Sequence, residues 1–289
     1  MQSLPCRQTG LAIIRINKDF KHFLRIVSFT KPVNYVHLYQ NLNKMETNFR
    51  STNIEKMESA TIVSQNTILR SSFTWMSVAM LLTTAAAILF GFVPQLTDLL
   101  MEPTAEGFKK PTVLAYIVMF APLAFVLAMS FGLNKMSVPV LIGTFVAYSI
   151  VNGISFSFIF SFYKIGSIIN VFLSTTALFA VMAIAGYTTK TDLTKLGSIL
   201  MIGVIGIVIA SLINMFMRSS SMDYLISILG VVIFTGLTAY DVQKIKNLGS
   251  TVQGDTMGAK MGIMGALTLY LDFINLFMFL LRLFGGRKD

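Results

Sequence analysis

Seven long apolar runs fill most of this chain and constrain its fold more than any other feature. Each run has 20 to 25 residues, which matches the ~20 residues that a helix needs to cross the hydrocarbon core of a bilayer. The runs are continuous and lack the period of two that barrel strands require. Helices are the remaining structure that satisfies every backbone polar group in lipid. We therefore predict an all-α, multi-pass integral membrane protein, a seven-transmembrane-helix bundle with spans at residues 71–93, 111–133, 138–162, 168–187, 196–217, 223–243 and 260–284.

The composition agrees with a membrane protein and excludes several kinds of chemistry. Hydrophobic residues make up 54% of the chain and charged residues 12%, whereas about 25% charged residues is typical of soluble domains. Both histidines and the single cysteine lie before residue 57, at His22, His37 and Cys6. The region of the spans therefore lacks the residues of a usual zinc site and of a Ser-His or Cys-His nucleophile. We predict no nucleic-acid partner, because the bases do not cluster with aromatic residues.

Residues 1–56 differ from the rest of the chain. They hold nine lysines or arginines against three acids, and their short apolar stretches lack helical periodicity. We interpret them as a basic N-terminal extension that is disordered or reflects a mis-assigned start, with Met45 and Met57 as alternative starts; a basic segment on the membrane surface is the other interpretation. Residues 57–289 form the seven-helix membrane domain. Eight bases flank the spans on the N-terminal side and seven on the other, so the positive-inside rule only slightly favours a cytoplasmic N-terminus.

Two aspartates lie where a membrane helix rarely places a charge. Asp272 is twelve residues into the last run, and Asp241 is in the final turn of the sixth. An ionised carboxylate at bilayer depth costs at least ~2.5 kcal/mol on insertion scales. Asp272 should therefore face the protein interior and be protonated or paired. Asp241 could belong to the same pair, or it could be an exposed helix-end residue beside Lys244.

The two aspartates could meet, because they lie on consecutive antiparallel helices. In an ideal hairpin, Asp241 and Asp272 come together only if the last helix begins near Met264 or Gly265. Two close carboxyls cannot easily both ionise, so the pair would hold one proton between them. Once that proton leaves, the pair would attract a hard cation such as Ca²⁺, which prefers oxygen ligands.

Other polar residues in or near the spans have simpler interpretations. Asp192 lies between two lysines in a predicted connection and is interpreted as an ordinary loop charge. Asn152, Asn214 and Asn275 lie within or near the ends of apolar runs. We interpret them as hydrogen-bond donors between helices, which is the usual role of asparagine in membrane proteins.

The segments around the two aspartates resemble the signature segments of the Bax inhibitor-1 family. They are Gly-Leu-Thr-Ala-Tyr-Asp-Val-Gln-Lys-Ile-Lys at residues 236–246 and Ala-Leu-Thr-Leu-Tyr-Leu-Asp-Phe-Ile-Asn-Leu-Phe at residues 266–277. Ser-Phe-Gly-Leu-Asn-Lys-Met-Ser at 130–137 and Asn-Gly-Ile-Ser at 152–155 are similar to the second and third spans of the family. The similarity extends in order from residue 57 to residue 286. The chain is thus identified as a bacterial-type member of the family.

This resemblance implies a fold, a function and a set of site residues. It implies six helices around a central last helix, and a pH-sensitive calcium leak gated by Asp241 and Asp272, which would also contact the permeating Ca²⁺. No cofactor is implied. Family members often have an arginine near the end of the second helix that can pair with the first aspartate. The matching residue here is Lys135, a point charge without the bidentate guanidinium.

The resemblance also implies a location and partners. It implies the inner membrane of a bacterium, with the lipid bilayer, protons and Ca²⁺ as partners. A bacterial relative binds and restrains a membrane-anchored protease, which implies such a protease as a further partner.

Three interpretations of function follow. The favoured one is the calcium leak. The second is a membrane regulator without transport, which restrains a membrane-bound protease or a stress response. The third, an intramembrane aspartyl protease, fits two aspartates on adjacent spans. However, Asp272 follows Leu-Tyr-Leu where such proteases have Gly-x-Gly, and no Pro-Ala-Leu motif comes after it. We therefore predict that the chain is not an enzyme.

Overall fold

The computed structural model describes residues 35–103, 109–249 and 254–288. By its contacts the chain divides into two compact units, Met1–Glu58 and Ser59–Asp289. The described part of the first unit is helical from Tyr35, although no sustained periodicity predicts a helix there. Residues 1–34 lie outside the described residues, so the disorder of the predicted extension and the true start of the chain stay predictions. The second unit holds the membrane-spanning helices.

The described chain is mostly helical. The helices are α1 (Tyr35–Phe92), α2 (Pro94–Leu100), α3 (Val113–Gly132), α4 (Val138–Phe156), α5 (Ile159–Phe162), α6 (Ile165–Thr188), α7 (Thr194–Met217), α8 (Ser220–Leu248) and α9 (Asp255–Phe284). Two short strands between α2 and α3, β1 (Met101–Pro103) and β2 (Lys109–Pro111), pair antiparallel.

Seven helical segments of the described chain are long and apolar enough to cross a membrane, which confirms the predicted fold class. They are Thr67–Phe92, Val113–Gly132, Val138–Phe162, Ile165–Thr188, Thr194–Met217, Ser220–Leu248 and Asp255–Phe284. Several extend beyond the apolar run that predicted them, most clearly at the end of α8 and the start of α9. Polar helix ends can lie at headgroup level, so a helix can continue where its apolar run stops.

The third predicted span, 138–162, contains a break. α4 ends at Phe156, and the Oγ of Ser157 donates a hydrogen bond to the carbonyl oxygen of Ile154 at 2.7 Å. The short helix α5 then completes the span. Side-chain bonds of this kind compete with the helical ladder, and an apolar run does not reveal them.

The last helix, α9, lies at the centre of the bundle, as predicted. In its most apolar window 72% of the residues are buried, compared with 11% in α3 and in α7. α9 packs against α4, α6 and α8. Phe273 on α9 contacts Phe172 and Phe179 of α6 edge-on. A helix that is buried on most sides can carry functional side chains away from lipid.

Two glycines allow neighbouring helices to approach closely. A Cβ on Gly186 of α6 would collide with the carbonyl oxygen of Ala239 on α8, and a Cβ on Gly153 of α4 would collide with that of Thr83 on α1. Small residues are the usual means of close helix packing in membranes. The first of these crossings holds α8 against α6 just before Asp241.

Candidate functional site: two buried aspartates

The structure brings Asp241 of α8 and Asp272 of α9 together inside the membrane domain. Their carboxyl groups lie close enough to share a hydrogen bond. The two residues are only 6% and 4% exposed. The interpretation of Asp241 as an exposed helix-end residue is therefore wrong, because the crossing of α8 with α6 and the central position of α9 enclose it.

The contact between the two carboxyls has a direct chemical consequence. A hydrogen bond between two carboxyl groups needs a proton on one of them, since carboxylates only accept hydrogen bonds. Oδ2 of Asp272 is buried, and no group in the described part of the chain donates a hydrogen bond to it when Asp272 is treated as an unprotonated carboxylate. One proton held between the two groups would supply that donor and would leave the pair with a single negative charge.

The helices meet with an offset that an ideal hairpin does not have. α9 begins at Asp255, so the expectation that it begins near Met264 or Gly265 is wrong. A Cβ on Gly265 would lie 3.2 Å from Ile245, close to the end of α8. The first residues of α9 therefore extend past the end of α8 by about 10 Å at 1.5 Å per residue. This overshoot brings Asp272 down to the level of Asp241.

The cation whose charge acts on both aspartates is Lys244. It lies one turn after Asp241 on α8, it is exposed, and its Nζ is 5.6 Å from the centre of the Tyr240 ring. Lys135, which the family resemblance places as a partner of Asp241, is exposed in the turn between α3 and α4. Lys244 is thus close enough for its charge to act on both aspartates. The role of Lys135 stays a prediction.

A second lysine, which the sequence analysis did not single out, is buried at the start of α9. Lys260 is 9% exposed, and its Nζ donates a hydrogen bond to the carbonyl oxygen of Leu133 at 3.0 Å. Leu133 is the C-cap residue of α3, where unpaired carbonyls and the helix dipole favour a cation. Lys260 thereby ties the start of the central helix to the end of α3. From the sequence alone, Lys260 cannot be distinguished from an ordinary base at a helix end.

A buried polar cluster holds the opposite side of the central helix. The hydroxyl of Tyr270 lies 2.7 Å from Oγ1 of Thr83 on α1, and Nδ2 of Asn152 on α4 donates to that hydroxyl at 2.7 Å. Thr83 Oγ1 also donates to the carbonyl oxygen of Ser149 at 2.9 Å. The ring of Tyr148 packs edge-on against Tyr270. The cluster connects α1, α4 and α9 through polar groups in the membrane interior.

The three asparagines in the apolar runs differ in their hydrogen-bond partners. Asn152 bonds between helices, as predicted. Asn214 instead accepts a bond from the backbone N–H of Ser219 in the connection after α7, and Asn275 donates to the carbonyl oxygen of Leu271 within α9. For these two the prediction of an interhelical bond is wrong, because local backbone groups lie within reach of a short amide side chain.

Asp192 lies outside the spans and is an ordinary loop residue, as predicted. Its Oδ1 accepts hydrogen bonds from the hydroxyl and the backbone N–H of Thr194 at 2.6 and 2.9 Å. These bonds lower the pKa of the Asp192 carboxyl. Gln243 of α8 holds the same loop, since its amide bonds to the backbone of Thr191 and of Leu193.

The aspartate pair offers too few ligands to retain a calcium ion by itself. Ca²⁺ usually takes six to eight oxygen ligands. Within residues 35–103, 109–249 and 254–288, no three His, Cys, Asp or Glu side chains gather at one point. Water and backbone carbonyls would have to complete the shell around an ion at Asp241 and Asp272.

Fold and site together define a class of protein. It is a seven-helix integral membrane protein whose central last helix carries a buried aspartate, paired with an aspartate of the preceding helix. Residues 65–289 match the family described as "Inhibitor of apoptosis-promoting Bax1". The chain belongs to this family, the Bax inhibitor-1 family, which confirms the resemblance.

Bacterial relatives cover most of the membrane domain. The "Inner membrane protein YbhL" of Escherichia coli is 40% identical over 224 residues, which are 77% of this chain and 92% of that protein. An uncharacterized protein of Rickettsia prowazekii is 39% identical over 217 residues, 75% of this chain and 88% of that protein. An uncharacterized protein of Borreliella burgdorferi is 52% identical over 165 residues, 57% of this chain and 71% of that protein.

Proposed function

We propose that this protein is a pH-sensitive calcium leak, gated by a proton that Asp241 and Asp272 share. The observation that carries the proposal is the buried contact between these two carboxyls on α8 and α9. Burial of two acids in a membrane interior is costly. A functional role explains their presence better than a structural one, because an uncharged pair could join the two helices at lower cost.

The proposed gate has two states that differ by one proton. With the proton present, the hydrogen bond between Asp241 and Asp272 holds α8 and α9 together. Without it, two negative charges lie side by side in a medium of low dielectric, where their repulsion is much stronger than in water. Lys244 can offset only one of these charges. The helices then move apart or a hard cation enters between the carboxyls, so the charge of the pair biases a two-state element.

Replacement of Asp272 by asparagine tests the gate. The side-chain amide can donate to Asp241 at every pH, so Asp272→Asn mimics the pair with its proton always in place. We expect the calcium flux of wild-type protein in calcium-loaded liposomes to change with pH. The flux of Asp272→Asn should not change with pH, and it should equal the wild-type flux at the acid limit.

Asp192→Asn is the matched control, because it makes the same chemical change at an exposed loop residue. This variant should keep the pH dependence of the wild type. A wild-type leak that is independent of pH, or a pH dependence that survives in Asp272→Asn, rejects the proposed gate.

The regulatory alternative makes a different prediction. A protein that only restrains a membrane-anchored protease would bind that protease after loss of both aspartates, and it would carry no calcium in liposomes. We propose no catalytic role for the pair. Cleavage of a transmembrane test peptide that either Asp→Asn change abolishes would contradict this.

We also propose the bacterial inner membrane as the site of action. The seven apolar helices require a membrane, and a relative that is 40% identical is named an inner membrane protein. Fractionation of the native cells, with detection of this chain among inner-membrane proteins, tests the location.

A further inference from the structure

An apolar groove opens on the side of the bundle away from the aspartate pair. Its cavity has a volume of about 330 Å³, within the range of ordinary ligand pockets. α1, α6 and the end of the third span (α4 and α5) form its walls, and the central helix α9 forms its floor through Phe273, Ile274 and Phe277. Two threonines of α1, Thr83 and Thr84, are the polar residues in an otherwise apolar lining. The groove therefore suits a hydrocarbon ligand.

The length of the groove matches one leaflet of a bilayer. Along α1 its lining extends from Met80 to Phe92, the last residue of the helix. Twelve steps of 1.5 Å correspond to about 18 Å, while half of the hydrocarbon core is about 15 Å. Along α6 the lining begins at Ile165, the first residue of that helix. The groove thus runs from the middle of the membrane to one surface.

Three exposed bases stand where the groove reaches that surface: Lys164, Arg287 and Lys288. Lys164 directly precedes Ile165 of the lining. The Nζ of Lys288 donates to the carbonyl oxygen of Phe160 at 2.7 Å, and Phe160 also lines the groove. The bases therefore lie at the mouth of the groove.

Backbone hydrogen bonds fix these bases in place. The N–H of Lys164 donates to Gly286 at 2.9 Å, and that of Lys288 donates to Phe162 at 2.9 Å. Lys164, Arg287 and Lys288 thus place positive charge at the open end, while apolar side chains line the interior.

We propose that this groove binds an anionic phospholipid of the surrounding leaflet. One acyl chain lies in the groove against Phe273 and Phe277, and the phosphate lies among Lys164, Arg287 and Lys288. Basic pockets next to membrane helices are known to recognise anionic headgroups. The apolar groove alone would accept any lipid, so the bases supply the selectivity for an anionic one.

The acyl-chain part is tested by filling the groove. The probes are phosphatidylglycerol and phosphatidylcholine with the same acyl chains, added to the purified full-length protein and observed by native mass spectrometry. The wild type should retain several-fold more phosphatidylglycerol than phosphatidylcholine. Ile169→Trp places a large ring at a groove residue that is 53% exposed, and it should lower retention of both lipids several-fold. Ile184→Trp, on the same helix but outside the groove and 63% exposed, should retain lipid as the wild type does.

The headgroup part is tested by charge removal. The double variant Lys164→Gln with Lys288→Gln should lower phosphatidylglycerol retention to the level of phosphatidylcholine, with phosphatidylcholine unchanged. Lys190→Gln with Lys195→Gln, which removes two exposed bases elsewhere, should keep the preference. Equal retention of the two lipids by the wild type, or equal retention by Ile169→Trp and Ile184→Trp, would overturn the proposal and indicate ordinary annular lipid.

Discussion

The hydroxyl of Tyr270 connects three helices of the bundle, because it bonds to Thr83 on α1 and to Asn152 on α4. Tyr270→Phe removes its bonds to Thr83 and Asn152 and leaves both side chains buried with one partner fewer. We expect a loss of about 1–2 kcal/mol in the free energy of unfolding, since such bonds in membranes are of modest strength. Denaturation of the purified protein in detergent measures this loss. Tyr224→Phe, at a residue that is 62% exposed, should be neutral; equal stability of the two variants would contradict the structural role of Tyr270.

Individual residues of the site also differ in whether the sequence alone can reveal them. Asp241 and Asp272 could be found because a charge inside an apolar run is costly and therefore conspicuous. Lys260 and Tyr270 could not, because a lysine at a helix end and a tyrosine in an apolar run are common at membrane surfaces. Lys244 was noticed only as a neighbour of Asp241. Whether such residues face the interior depends on the rotation of each helix, which only packing determines.

The crossing of α6 with α8 offers a prediction at the scale of helices. A Cβ on Gly186 would collide with the backbone of Ala239, whereas a Cβ on Gly166 of the same helix would meet no atom within 4 Å. Gly186→Ala should therefore force the helices apart and cost about 1–3 kcal/mol, as overpacking does elsewhere. Gly166→Ala should be neutral or stabilising by up to about 1 kcal/mol, because alanine favours a helix over glycine. Thermal unfolding of both variants in detergent compares them, and equal losses would contradict the close crossing.

The positions of the membrane helices could be predicted from the apolar runs, but the residues at which the helices begin and end could not. Hydrophobic length fixed the number of spans because hydrocarbon thickness is constant. The break after Phe156 and the overshoot of α9 at Asp255 depend instead on local hydrogen bonds and on a connection that contains glycine. These features carry little hydrophobic signal, so a pattern of apolar residues does not predict them.

At the scale of the whole molecule, seven spans place successive loops on alternate sides of the membrane. Glu102, between α2 and α3, and Lys190, between α6 and α7, should face opposite compartments. In a Cys6→Ser background, a membrane-impermeant thiol reagent added to spheroplasts should label Glu102→Cys directly and Lys190→Cys only after permeabilisation. Labelling of both from one side would contradict seven spans, and the reversed pattern would contradict only the predicted cytoplasmic N-terminus.

The central helix is held on two faces, and in the proposed gate this would limit how it responds to a proton. Tyr270 and Asp272 are two residues apart, which separates them by about 200° around the helix axis. One faces α1 and α4, and the other faces α8. A rotation of α9 that separates the two carboxyls would also move Tyr270 out of the buried polar cluster. In the proposed gate, deprotonation would therefore have to outweigh an uncharged contact that changes of pH around neutrality leave intact. The helix α9 would then move only once the repulsion between the carboxylates exceeds the strength of that contact.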